Sequence, residues 1–194
     1  LALLLLPVVG VLIRLPSPTG RPQVLHKDSD TGGGTGEQRA HNGQLVALIA
    51  LFFFLYVGAE ASFGGWVAAY AQAMGLGNAV TAAYLTSAFW GAMTLGRLLS
   101  IPLAARFTPR QVLIGDLAGG LASVVLLVLL PGRPLVTWIG TFGAGLSMAS
   151  IFPSALSLAE RHIHITGTVT SFFFVGGSIG GMTVPWIIGQ LFES

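Results

Sequence analysis

Residues 45–73 constrain the fold of this chain most, because this stretch is apolar and long enough to cross a bilayer. A spanning helix needs about 20 predominantly apolar residues. One carboxylate, Glu60, lies near the middle of the stretch. A central acid costs about 3 kcal/mol, whereas each Leu, Ile, Phe or Val contributes roughly 0.3 to 0.6 kcal/mol. We therefore predict that the helix inserts and that Glu60 faces the bundle interior or a water-filled cavity.

The composition indicates an integral membrane protein. The 194 residues are 53% hydrophobic and only 8% charged, whereas about a quarter of the residues in a soluble domain are charged. The formal charge of +2 is too small to indicate nucleic acid as a partner. The sequence contains no cysteine, which excludes disulfides, thiolate catalysis and cysteine metal sites.

The other apolar segments predict four more spanning helices, at residues 79–102, 112–130, 136–158 and 168–191. Within the third of these, Pro153 predicts a kink. Residues 1–13 are too short to span and are predicted to be the end of a helix that is cut at its start. Residues 14–44 are rich in Gly, Pro, Ser and charge, which predicts a flexible linker.

The basic residues predict the orientation of the bundle. If the helices alternate, Arg133 alone falls on one side. The other basic residues fall on the opposite side, namely Arg14, Arg21, Lys27, Arg39, Arg97, Arg106, Arg110 and Arg161. The positive-inside rule then makes residues 14–44 a cytoplasmic linker. The last helix would run outward, and we expect a chain that is truncated at both ends.

Two local patterns resemble a known family of transporters. Residues 96–107, together with Pro109 and Arg110, read GRLLSIPLAARF and are similar to the second-half copy of the cytoplasmic signature of major facilitators, without its acidic loop residue. Residues 56–66 read YVGAEASFGGW and resemble the seventh helix of the sodium-dependent glucose transporter-like branch, the major facilitator domain-containing 4 family. Relatives of that branch include fucose/proton symporters.

The resemblance implies an all-α membrane protein, the carboxy-terminal six-helix half of a major facilitator transporter that lacks the last helix. Residues 1–13 would end helix 6, and residues 45–194 would form helices 7 to 11. It further implies alternating-access transport of a hexose such as glucose, Na⁺ as the coupling ion, and a multi-pass position in the plasma membrane. The expected partners are membrane lipid, a sugar and the missing amino-terminal half. No enzymatic activity and no cofactor are implied.

Three alternatives remain open at this point. The complete protein could be a proton-coupled carrier, a facilitative carrier of another small polar metabolite, or a receptor or scaffold that keeps the fold but does not transport. Uptake into proteoliposomes distinguishes them, because a receptor binds its ligand without accumulating it.

The candidate substrate or ion site centres on Glu60. At about 100° per residue, Tyr56, Phe63 and Gly64 share its helix face, and Trp66 lies off that face. The carboxylate can accept hydrogen bonds from sugar hydroxyls, the rings can cover apolar C–H groups, and Gly64 leaves room for a ligand. The alternatives are a structural hydrogen bond for Glu60 and a packing role for Trp66.

A second set of charges is predicted near the cytoplasmic ends of the helices. By resemblance these charges would form the network that holds the cytoplasmic gate, with Arg97 paired to Asp116. The set comprises Arg97, Arg106, Arg110, Asp116, Glu160 and Arg161. The alternative is that the arginines follow positive-inside sorting and extend to lipid headgroups.

Other functional classes find no support in the sequence. His162 and His164 lie two positions apart and would fall on different sides of a helix, so we predict no metal site. The glycines of residues 176–181 lack the Lys and the preceding strand of a phosphate loop. Their four-residue spacing instead predicts close contact between helices.

Overall fold

The computed structural model describes residues 36–161 and 166–192, with side chains described for 43–161 and 166–191. The described residues are helical and contain no strand. The six helices are α1 (Gly36–Ala73), α2 (Ala79–Ala104), α3 (Pro109–Leu129), α4 (Pro134–Met148), α5 (Ile151–Glu160) and α6 (Gly167–Phe192). The helical bundle belongs to the compact unit Arg39–Ser194.

The described helices extend the predicted spans at several ends. Helix α1 begins at Gly36, inside the segment predicted to be a linker. Glu, Gln, Arg and Ala in its first turns favour helix and continue α1 beyond its apolar stretch. The predicted end of helix 6 at residues 1–13, and the linker up to residue 35, lie outside the described residues.

Four helical segments of the described chain are long and apolar enough to cross a membrane. They are Gly43–Ala73, Pro109–Leu129, Pro134–Glu160 and Gly167–Leu191. The prediction included a fifth span, at 79–102. Its 26-residue helix α2 is long enough, at roughly 39 Å, but Arg97 and several Thr, Ser and Gly residues reduce its hydropathy.

The fourth predicted span is interrupted rather than smoothly kinked. Helix α4 ends at Met148 and α5 begins at Ile151, so the break lies at Ala149 and Ser150. Pro153 accounts for its position, because a proline lacks the N–H group and its ring clashes with the carbonyl four residues earlier, here that of Ala149.

Helix α4 lies between α2 and α3. It packs extensively against both α2 and α3, which contact each other only slightly, and α3 also packs against α5. Small residues permit the close approaches: a Cβ added at Gly145 would collide with the backbone of Phe89. The same applies between α1 and α6, where Gly176 faces the backbone of Ala50. Phe53, Phe89, Phe173 and Met93 are at most 1% exposed and form the centres of two apolar clusters.

Candidate functional site

Glu60 lies near the middle of the membrane-spanning part of α1, Gly43–Ala73, and is paired with a basic side chain of α2. Its side chain is 14% exposed, and its Oε1 atom lies 3.9 Å from Nη2 of Arg97. The Arg97 side chain is 62% exposed. The ion pair is thus long and open on the arginine side, while the carboxylate is largely enclosed.

Tyr56 lies one turn before Glu60 and connects it to the break in the fourth span. The ring is 8% exposed, and its hydroxyl donates a hydrogen bond to the main-chain oxygen of Met148 at 2.7 Å. Glu60 is four residues further along the same helix, so the two side chains are neighbours on one face of α1. Because Met148 is the last residue of α4, its carbonyl is one of those that a helix end leaves without an intrahelical donor.

Asp116 on α3 contacts the other side of the same break. The Ser150 hydroxyl donates a hydrogen bond to Asp116 Oδ2 at 2.5 Å. The predicted pair of Arg97 and Asp116 is therefore not the ion pair that forms, since Arg97 pairs with Glu60. The reason is the position of α4, which packs between α2 and α3 and separates helices that are neighbours along the chain.

The remaining residues of the predicted substrate site point to different helices. The Phe63 ring packs on Phe89 of α2, with ring centroids 5.2 Å apart. A Cβ at Gly64 would lie 2.9 Å from Cζ2 of Trp90, so α2 fills the space that we expected for a ligand. Trp66 points to α6, where its Nε1 donates to the oxygen of Pro185 at 3.2 Å.

The other predicted gating charges occupy exposed helix ends. Arg106 lies in the connection between α2 and α3, Arg110 lies in the first turn of α3, Glu160 ends α5 and Arg161 follows it. Each of these four residues is exposed. The described residues contain no group of three or more His, Cys, Asp or Glu that could hold a metal ion, and His162 and His164 lie outside the described residues.

Comparison with known proteins assigns the chain to a family. The Major Facilitator Superfamily profile matches residues 1–185. This chain belongs to the Major Facilitator Superfamily. The fold class predicted from the sequence, an all-α membrane protein of this superfamily, is confirmed.

Several curated relatives of the superfamily are similar to the chain. Human sodium-dependent glucose transporter 1 is 37% identical over 157 residues, which are 81% of this chain and 30% of that protein. Major facilitator superfamily domain-containing protein 4A of Danio rerio is 36% identical over 187 residues, 93% of this chain and 35% of that protein. The chain thus spans about a third of the length of these relatives. They match the branch indicated by residues 56–66. No solved structure matches the chain.

Within this major facilitator fold, the exposed face of α2 carries a polar stripe, of which the sequence had singled out only Trp90 and Arg97. Tyr84, Ser87, Trp90, Thr94 and Arg97 are all exposed and follow one another at intervals of three or four residues. That spacing places them along one side of a helix. The same spacing is visible in the sequence and could have revealed the stripe. The stripe also explains the lower hydropathy of α2. Lipid does not solvate polar side chains, so we expect this face of α2 to line a water-filled cavity or to contact another part of the protein.

Several cavities adjoin the fourth span, and two of them concern the site. A cavity of about 520 Å³ is lined mainly by apolar side chains of α1, α3, α4 and α6, including Phe63, Trp66 and Tyr70 but not Glu60. A cavity of about 240 Å³ lies among α2, α3 and α5. Four serines contribute to its wall, namely Ser100, Ser150, Ser154 and Ser157.

Proposed function

We propose that the complete protein transports a hexose such as glucose by alternating access, with Na⁺ as the coupling ion, in the plasma membrane. Its membership of the Major Facilitator Superfamily supports transport. Two mammalian relatives carry the name sodium-dependent glucose transporter, which supports the choice of sugar and ion. The observation that carries the proposal is the enclosed carboxylate of Glu60 beside the exposed Arg97.

The proposed sugar site combines Glu60 with the polar stripe of α2. Carboxylate and guanidinium together accept and donate hydrogen bonds, which is what a polyhydroxyl ligand requires. The Trp90 ring is 44% exposed and can stack on the apolar C–H face of a sugar. In this proposal the amino-terminal half of the same protein supplies the opposite wall, and membrane lipid surrounds the bundle.

The proposed cation site is Glu60 itself. Its contact with Arg97 is long, at 3.9 Å, so that a small cation at the carboxylate competes with a weakly held partner. A charge that crosses a potential of 100 mV gains about 2.3 kcal/mol, which corresponds to roughly fifty-fold accumulation. A proton at the same carboxylate would give the alternative, a proton-coupled carrier.

The decisive experiment is hexose uptake by the full-length protein in proteoliposomes, with and without an imposed sodium gradient. We expect accumulation of labelled glucose above the external concentration only when sodium is higher outside. Accumulation driven by a proton gradient alone would show that the coupling ion is the proton and not Na⁺. Binding of the hexose without any accumulation would reject transport and favour a receptor or scaffold.

Replacing the carboxylate tests its role directly. We expect Glu60→Gln to reduce sodium-driven uptake at least about tenfold, because the amide keeps the size of the side chain but removes the charge that attracts a cation. Surface biotinylation should give an unchanged amount of protein. The matched control is Glu37→Gln, the same chemical change near the start of α1. Normal uptake by Glu60→Gln at every sodium concentration would remove Glu60 from the mechanism.

A further inference from the structure

The break between α4 and α5 is held by three other helices. Tyr56 of α1 donates to Met148, and Ser150 donates to Asp116 of α3. On α2, a Cβ at Gly96 would lie 2.5 Å from Cβ of Ala149. Helix α5 is consequently a separate ten-residue segment that joins α4 at a point fixed by side chains from elsewhere in the bundle.

Helix α5 has space beside it. The cavity of about 240 Å³ is lined by Ser154 and Ser157 on α5 and by Phe107 and Val112 on the facing elements. Close packing normally prevents one helix from moving without its neighbours. A cavity along one side of α5 removes part of that restraint, so the segment can pivot at Ala149 and Ser150.

The Tyr56 hydroxyl has one proton and two acceptors within reach. It donates to the oxygen of Met148 at 2.7 Å, and the second acceptor is the carboxylate of Glu60, its neighbour one helical turn along the same face of α1. A hydrogen bond to an ionised carboxylate is roughly twice as strong as one to a neutral carbonyl. Arg97 lies beside that carboxylate and competes with the hydroxyl for it. The choice of acceptor therefore depends on which cation Glu60 holds.

We propose that Tyr56 is a positioning residue that couples the occupancy of Glu60 to the pivot between α4 and α5. When Arg97 or a bound cation neutralises Glu60, the hydroxyl stays on Met148 and α5 is held in place. When Glu60 is left without a cation, the hydroxyl turns to the carboxylate, Met148 loses its partner and α5 is released. This inference deepens the proposed function and rests on it for the identity of the cation.

The test uses full-length protein in membranes, with Ser157→Cys as a reporter on α5. Any reactive cysteine elsewhere in the full-length protein is replaced. The measured quantity is the rate of modification by a membrane-permeant maleimide. We expect Arg97→Gln to raise that rate about fivefold, the equivalent of the roughly 1 kcal/mol of one hydrogen bond. We expect Glu60→Gln to lower it. In the Tyr56→Phe background, both responses should fall below about twofold.

Two controls separate this coupling from a general change in the bundle. Tyr70→Phe is the same chemical change on the same helix and should preserve both responses. A reporter at Ser171→Cys, exposed near the start of α6, should respond to neither substitution. Equal responses in the Tyr56 and Tyr56→Phe backgrounds would overturn the inference, as would the absence of any response to Arg97→Gln.

A second variant keeps the test decisive if Tyr56→Phe does not reach the membrane. Ser150→Ala removes the other hydrogen bond at the break and should raise labelling of Ser157→Cys while the response to Arg97→Gln persists. Unchanged labelling of this variant would contradict a pivot at the break. Labelling requires no hexose, so a protein that shows the coupling but does not accumulate glucose would refute the proposed function and leave the inference standing.

Discussion

The contact between Gly176 of α6 and Ala50 of α1 allows a quantitative test of the packing. A Cβ on Gly176 would lie 2.6 Å from the main-chain oxygen of Ala50, whereas ordinary van der Waals contact begins near 3.4 Å. Alanine at this position therefore requires the two helices to separate locally by about 0.8 Å. A gap of 0.5 to 1 Å forfeits a quarter to a half of the attraction for each atom pair along the seam.

We expect Gly176→Ala to destabilise the full-length protein by about 1–3 kcal/mol, the usual cost of an inserted methyl group in a tight core. The assay is the apparent melting temperature in mild detergent, followed by fluorescence-detected gel filtration. Gly65→Ala is the matched control, because a Cβ at Gly65 would meet nothing within 4 Å. Both variants gain the helix propensity of alanine, up to about 1 kcal/mol, so their difference isolates the contact.

Equal melting temperatures for the two variants would refute this account of the seam between α1 and α6. A lower melting temperature for Gly65→Ala than for Gly176→Ala would refute the account more strongly, because Gly65 would then be the tightly packed position and Gly176 the open one.

Two further predictions concern buried groups. Ser150→Ala should destabilise the protein by about 1–3 kcal/mol in thermal unfolding, since Asp116 loses its short hydrogen bond. Ser150→Thr keeps the hydroxyl and should retain most of the stability. Equal losses in both variants would contradict a role for the hydroxyl. Phe53→Ala should lower the free energy of unfolding by about 2 kcal/mol. This is the low end for core truncations, because a side chain that leaves the core of a membrane protein meets lipid, which is itself apolar. Phe172→Ala truncates an exposed ring and should have little effect on the same melting curve.

The solvent and the class of fold follow from the amino-acid sequence alone. Long apolar runs need lipid, and in lipid the backbone satisfies its hydrogen bonds within each helix, so membrane-spanning helices follow from composition alone. The pattern of residues 56–66 also indicated the correct branch of the superfamily. These properties are local, because each depends on residue types within a single segment.

Which side chains meet depends on the packing of the helices. Periodicity put Glu60 and Gly64 on one face of α1, but it could not tell that rings of α2 fill the space at Gly64. Chain order suggested that Arg97 pairs with Asp116, and α4 separates them by packing between their helices. Partners from distant segments depend on how the helices are arranged around one another. That arrangement follows from the whole set of packing contacts and not from the pattern of any one helix.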